Sequence, residues 1–196
     1  MNIRHSLHAA VFALALAAPA LAQQPPVQRP DPQALAAAQK AALAPLAFMD
    51  GTWRGEARHT GIDGVQHAVV QTERVGPLLD GAIKVIEGRG YNADGSTGFS
   101  AFAVLSWDAR RQAFNLRSYA MGQSSDFAFR PTADGFAWDI PAGPMTIRYT
   151  TTVKDGTWHE VGDRIAPDGS ATRFFEMTLQ RIGDSNWPAA GAVPMR

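Results

Sequence analysis

The sequence contains no cysteine, and this absence removes several kinds of chemistry at once. Without thiols the chain has no disulfide, no thiolate nucleophile, no cysteine-ligated zinc and no lipid attached to an N-terminal cysteine. Histidine is also scarce, with five residues in a chain of 196, and two of these lie within the first eight positions. Chemistry that depends on histidine therefore rests on His59, His67 and His159.

An excess of charge of one sign is missing as well. Lysine and arginine together number 18, and so do aspartate and glutamate. This balance disfavours nucleic acid and anionic membranes as partners. A hydrophobic content of 45% supports a packed core, and the length suits a single domain.

No apolar run is long enough to cross a bilayer as a helix. The run from Leu7 to Ala18 spans about 12 residues, whereas a membrane helix needs roughly 20. It follows Arg4 and leads to Pro19 and the small-residue ending at Ala22, which is the pattern of a secretory signal peptide. We therefore assign residues 1–22 to a signal peptide, and we expect a periplasmic or secreted protein cleaved near Ala22.

The remaining chain divides into four segments by composition. Residues 23–33 hold four prolines and read as a proline-rich tether. Residues 34–49 are rich in alanine and leucine and predict an N-terminal helix, with Asp31 as its candidate cap. Residues 50–183 form the predicted β domain, and residues 184–196 lack any period and are expected to be coil.

Turn signals divide the β domain into short strands. Seven Asp-Gly dipeptides, from Asp50-Gly51 to Asp168-Gly169, favour tight hairpins, and Asp108–Arg111 and Gly122–Ser125 add two further turns. Strict alternation of apolar and polar residues over 145–153 indicates strands with one buried face. The predicted strands are 52–60, 65–75, 82–91, 98–107, 113–121, 126–131, 136–140, 145–153, 157–165 and 171–182. Because an open meander leaves two unpaired edges, we predict an all-β, up-and-down antiparallel barrel of about ten strands, with a β-sandwich as the alternative.

The first strand carries a family resemblance. Gly51, Trp53 and Gly55 directly after the helix resemble the start of lipocalin-like (calycin) barrels, and residues 46–182 are similar to an uncharacterised bacterial domain family of such barrels. In calycins a basic residue from the last strand lies across this tryptophan. The resemblance therefore implies that Arg181 packs over Trp53.

A more distant resemblance is to the nitrobindins, haem-binding barrels with a similar Gly-x-Trp-x-Gly start. Their haem is held by a histidine beyond the last strand, but residues 171–196 contain none. We therefore expect no cofactor, with haem at His159 as an alternative. A metal site is not predicted, since His59 and His67 have no evident third ligand.

Aromatic side chains spread over the strands indicate a barrel interior that accepts a flat or hydrophobic ligand. Each of them also fits ordinary core packing. The aromatic candidates for ligand contact are Trp53, Tyr91, Trp107, Tyr149, Trp158 and Phe175.

Charged residues on the same strand faces supply candidate polar groups. Glu160 shares a strand face with Trp158, so an inward Trp158 implies an inward carboxyl with a raised pKa; the alternative is an outer ion pair. Glu87 shares the parity of Ile83 and Val85. Arg173 shares the parity of Phe175, and an inward guanidinium there would bind a carboxylate or phosphate, although a structural salt bridge is the alternative.

These residues lead to three functional hypotheses. The first is an exported barrel that binds a small hydrophobic molecule in its interior. The second is a barrel enzyme of the isomerase or hydrolase type, with Glu160 or Glu87 as general base. The third is an interaction module that uses its tether or its rim.

Overall fold

The computed structural model describes residues 31–61 and 63–187. The assigned signal peptide, nearly all of the proline-rich tether and the last nine residues lie outside this range. No helix of the described part is long and apolar enough to cross a membrane.

The described chain begins with a short helical segment. Helix α1 spans Pro32–Leu43 and starts two residues before the predicted boundary at 34. The Asp31 side chain caps it by accepting a hydrogen bond from the backbone N–H of Gln33 at 3.0 Å, and Pro32 suits the first helical position, where no N–H partner is needed. A 3₁₀ segment, Ala44–Met49, continues the chain, and we call it the plug.

Ten antiparallel strands follow and close into a barrel in which each strand pairs with its sequence neighbours and β1 pairs with β10. The strands are β1 Gly51–Thr60, β2 Gln66–Leu78, β3 Ile83–Tyr91, β4 Thr97–Asp108, β5 Ala113–Ala120, β6 Gln123–Pro131, β7 Gly135–Ala142, β8 Met145–Lys154, β9 Thr157–Ile165 and β10 Ala171–Gly183. The predicted up-and-down barrel is therefore confirmed, and the sandwich alternative is wrong. Closure removes the two exposed sheet edges that an open meander would leave.

Six of the seven Asp-Gly dipeptides lie at strand connections, as predicted. The β8–β9 turn shows the physical reason, since Asp155 and Gly156 have φ values of 51° and 73°, which aspartate tolerates and glycine adopts freely. The exception is Asp50-Gly51, which joins the plug to β1 instead of forming a hairpin.

The plug closes one end of the barrel. Leu46 and Met49 are almost fully buried in the same hydrophobic cluster as Trp53. The indole N–H of Trp53 donates to the Met49 carbonyl at 3.0 Å, and the buried Lys84 ammonium is paired with the Asp50 carboxylate. Both ends of this connection are thereby fixed to the barrel wall.

Arg181 lies directly across from Trp53 in the pairing of β10 with β1, as the calycin resemblance implies, but its guanidinium does not pack on the indole. Its guanidinium donates to the Asp50 carbonyl at 3.4 Å and pairs with Asp184 at 2.6 Å. No cation–π contact between Arg181 and Trp53 is formed among the described residues. The indole of Trp53 packs instead against Trp158, edge to face, with ring centroids 5.6 Å apart.

Candidate functional site

The barrel end opposite the plug carries aromatic side chains on its inner surface. They come from the halves of β4, β6, β7, β8 and β10 that lie away from the plug. We call this set the aromatic wall: Phe99, Phe127, Trp138, Tyr149, Phe174 and Phe175. All of them keep some exposure to solvent, unlike Trp53 and Trp158 nearer the plug, which are 1% and 3% exposed. The wall therefore presents apolar surface that a ligand can cover.

Trp138 and Tyr149 form the centre of this wall. They are paired across β7 and β8, and their rings stack with centroids 4.4 Å apart and planes 10° apart. Phe127 packs on the other side of Trp138 at 5.6 Å, and Phe175 meets the edge of Tyr149 at 5.5 Å. Gly162 leaves room for this packing, since an added Cβ there would lie 2.9 Å from the Tyr149 ring.

Basic side chains border the aromatic wall at the open end. His59 and His67 are cross-strand partners on the inner faces of β1 and β2, with stacked rings 5.0 Å apart. Arg164, near the end of β9, reaches over β10, where its guanidinium lies 4.3 Å from the ring centre of Phe174. We call His59, His67 and Arg164 the basic rim.

Two glutamates lie inside the barrel, and we call them the interior carboxyl pair. Glu160 is 8% exposed, and its carboxylate accepts hydrogen bonds from the Thr151 hydroxyl at 2.8 Å and the Trp158 indole at 3.2 Å. Burial raises the pKa of Glu160, and these two hydrogen bonds oppose the rise only in part.

Glu73 is the other member of the pair, and it faces the interior because it pairs with the buried Trp53 across β1 and β2. Burial raises its pKa from 4.5 to about 8; a hydrogen bond from the Gln71 amide at 2.8 Å opposes this, while the nearby Glu160 carboxyl adds to it. Gly88 makes room for this carboxyl, since an added Cβ would lie 2.7 Å from it. Glu73 is therefore largely protonated at neutral pH.

Six of the predicted contact residues lie on the inner face of the barrel. Trp53, Trp107 and Trp158 belong to the packing of the half nearer the plug, where Trp107 meets Phe114 edge to face at 4.8 Å. Tyr149 and Phe175 belong to the aromatic wall, and Glu160 lies behind it. Tyr149, Phe175 and Trp107 are inward and partly exposed, and a role in ligand binding stays a prediction for all six.

Glu87 and Tyr91 do not face the barrel interior as predicted, since both lie on its outer face. Glu87 pairs in register with the outward Arg74 and is hydrogen-bonded by Arg74 and Arg89. Partial burial alone would raise the pKa of Glu87, but the two guanidinium groups hold it below its ordinary value. The prediction rested on the apolar Val85, which shares the parity of Glu87. Val85 is 1% exposed, but it lies on the outer face, on a strand that α1 contacts.

Glu87 and Tyr91 line a hollow of about 380 Å³ on the outer wall, and a second hollow of about 270 Å³ adjoins it. The C-terminal Trp187 borders the second hollow, with the Arg74 guanidinium 4.6 Å from its ring centre and Phe102 at 6.2 Å. This surface is separate from the aromatic wall, since the strands lie between them.

Arg173 likewise does not face the barrel interior. The pairing of β10 with β9 shifts register between Arg173 and Phe175, so the alternation breaks at this β-bulge. Arg173 therefore faces outward and pairs with Asp163 at 2.7 Å, which is the salt-bridge alternative. The bulge also brings Phe174 next to Tyr149, at 6.0 Å.

His159 lies on the outer face of β9, where it pairs with Glu176 at 3.1 Å. In this position its imidazole points away from the barrel interior. Haem at this residue stays a prediction.

Inward polar residues that the sequence analysis did not identify include Glu73, Gln71 and Arg164. Glu73 and Gln71 alternate with threonine and arginine instead of lying among apolar residues, so periodicity alone does not mark their face. Arg164 shares the parity of Trp158 and Glu160, and that signal was available in the sequence.

Comparison of the sequence with protein-family models and with curated proteins gives no match. Among solved structures, the barrel is similar to the crystal structure of Rv2717c from M. tuberculosis, with a TM-score of 0.54 and 12% sequence identity. The match covers 72% of this chain and 97% of that chain. This likeness shows the barrel fold, and the resemblance to calycins stays a prediction.

Proposed function

We propose that this protein binds a small, largely apolar molecule at the open end of its barrel, against the aromatic wall. The observation that carries the proposal is the stacked pair of Trp138 and Tyr149, which faces the interior and is only partly buried. Inward aromatic rings that stay partly exposed supply a large contact area to a flat ligand, in addition to packing against the core.

The plug supports the choice of end. Its buried Leu46 and Met49 fill the other end, which leaves the end with the aromatic wall as the one without a plug among the described residues. The leader-like sequence of residues 1–22 supports a role outside the cytoplasm, either periplasmic or secreted.

The neutral fluorescent probe N-phenyl-1-naphthylamine tests this proposal, because its emission rises on transfer to an apolar site. Replacing Trp138 by Leu removes the stacked ring, and we expect roughly tenfold weaker binding of the probe. Trp187→Leu is the matched control, since it removes a partly buried indole from the outer wall, and it should leave the affinity unchanged.

Urea unfolding of both variants checks that the barrel remains folded. Equal weakening by the two substitutions, or saturable binding by neither variant nor the unsubstituted protein, would contradict binding at the aromatic wall.

A second candidate function is catalysis by the interior carboxyl pair. The observation that favours it is that both carboxyls lie inside the barrel, where burial raises the pKa of Glu160 and raises that of Glu73 to about 8, because a carboxyl with a raised pKa suits general acid–base catalysis. Glu160→Gln and Glu73→Gln would then abolish turnover of a bound molecule while its affinity is kept. If these two substitutions weaken binding and the unsubstituted protein shows no turnover, ligand binding remains the proposed function.

A further inference from the structure

Arg164 is a cation without a carboxylate partner among the described residues. The two acidic residues of its own strand are engaged elsewhere, since Asp163 pairs with Arg173 at 2.7 Å and Glu160 accepts from Thr151 and Trp158. The only hydrogen bond of the Arg164 side chain in the described chain is a long one, at 3.4 Å, to the backbone carbonyl of Thr60. Its charge is therefore not neutralised by the protein around it.

The Arg164 side chain lies on the inner face of β9, and two contacts hold its guanidinium in place. Arg164 follows Trp158, Glu160 and Gly162 on the inner face of β9. The Phe174 ring lies under it at 4.3 Å, and the Thr60 carbonyl holds its tip on the far side of β10. Cation–π contact and this bond hold the side chain across the open end instead of letting it extend into water.

Further hydrogen-bond donors lie around the same opening. The Tyr149 hydroxyl has no hydrogen-bond partner among the described residues, and Arg164 is close enough to lower the Tyr149 pKa against the burial that raises it to about 12. The hydroxyl thus stays a donor at every physiological pH. His59 and His67 lie on the inner faces of β1 and β2 and are exposed.

We infer that the ligand of the aromatic wall carries an oxyanion, a carboxylate or a sulfonate-like group, which Arg164 binds at the barrel opening with help from the Tyr149 hydroxyl. This inference rests on the proposed function and names the chemical class of its ligand. The apolar part of the molecule covers Trp138 and Tyr149, while the anionic group stays near the solvent beside the guanidinium. A planar guanidinium suits such a group because it donates two parallel hydrogen bonds to two oxygens.

Two probes that share one skeleton distinguish apolar binding at the aromatic wall from binding of an oxyanion by Arg164. The anionic probe 8-anilinonaphthalene-1-sulfonate differs from neutral N-phenyl-1-naphthylamine by the sulfonate alone. We define the anion preference as the ratio of the neutral probe's Kd to the anionic probe's Kd. Arg164→Gln should lower this ratio by roughly tenfold to a hundredfold, with the affinity for the neutral probe unchanged.

Arg173→Gln is the matched control, since it removes an arginine that lies near the same end of the barrel but faces outward. It should keep the anion preference of the unsubstituted protein. Tyr149→Phe, which keeps the aromatic ring, should lower the preference by a smaller factor than Arg164→Gln.

The outcomes distinguish the inference from the function on which it rests. Equal anion preference in Arg164→Gln and Arg173→Gln, with both probes still bound and still weakened by Trp138→Leu, would overturn the oxyanion site and leave the proposed function standing. Failure of both probes to bind would overturn both.

Discussion

Replacing Glu73 by Gln should change how the stability of the barrel depends on pH. In the folded protein the pKa of Glu73 is about 8, against an ordinary value of 4.5 in the unfolded chain. Below pH 4.5 the carboxyl is protonated in both states and carries no penalty. Between pH 4.5 and 8 only the unfolded chain releases the proton, so the unsubstituted protein loses stability as pH rises.

The size of this effect follows from the two pKa values. Each pH unit in that window costs about 1.4 kcal/mol, and the full interval of about 3.5 units therefore amounts to about 5 kcal/mol above pH 8. Glutamine has the same shape and never ionises. Relative to the unsubstituted protein, Glu73→Gln should gain about 3 kcal/mol in free energy of unfolding between pH 5 and pH 7.5.

The assay is urea unfolding followed by tryptophan fluorescence at several pH values, with the free-energy difference between the two proteins plotted against pH. Taking the difference removes any pH-independent effect of the substitution. Glu87→Gln is the control, because the pKa of Glu87 is lowered and its stabilising contribution is lost only as pH falls below the ordinary value. The free-energy difference for Glu87→Gln should be constant between pH 5 and 7.5, and a similarly constant difference for Glu73→Gln would refute the raised pKa of Glu73.

Four further substitutions test the packing of the barrel and the cap of α1 by urea unfolding. Gly55→Ala should destabilise by about 3 kcal/mol, because the added Cβ would lie 2.0 Å from a carbonyl oxygen of β10, whereas Gly183→Ala, with its nearest atom at 3.1 Å, should cost much less. Trp53→Leu should cost about 3 kcal/mol, since it opens a cavity at a residue 1% exposed and removes a hydrogen bond to the plug. Asp31→Ala should cost about 1 kcal/mol through loss of the α1 cap, and no loss of stability would mean that α1 does not contribute to the folding unit.

The strand pattern was readable from the sequence because turn chemistry is local. Asp-Gly pairs such as Asp155-Gly156 adopt positive φ by themselves, and the tight connections they make leave little freedom in strand length. The inward position of Glu160 followed in the same way from its spacing to Trp158, because no bulge intervenes between them.

The faces of other strands were not readable, because they depend on register and on neighbouring elements. A two-residue turn at Asp63-Gly64 would pair Trp53 with Arg74, but the Gly61 N–H donates to the Val65 carbonyl and the register pairs Trp53 with Glu73. This single shift decides which of two adjacent residues is interior.

At two further sites the alternation of apolar and polar residues does not identify the inner face of the strand. The cause is a β-bulge at one site and a contact outside the barrel at the other. The bulge near Arg173 reverses the alternation, and no residue type in the sequence marks it. The burial of Val85 comes from the outer side, so an apolar residue there does not identify the interior of β3.

The most direct test of ligand binding at the aromatic wall is a ¹H–¹⁵N spectrum of the indole N–H groups during titration with N-phenyl-1-naphthylamine. The chain has five tryptophans, and each reports a different place. Trp53, Trp107 and Trp158 lie in the packed half of the barrel and Trp187 lies on the outer wall, while Trp138 alone belongs to the aromatic wall. The account predicts that the Trp138 signal moves most and that the Trp187 signal stays in place; movement of Trp187 with Trp138 unchanged would contradict it.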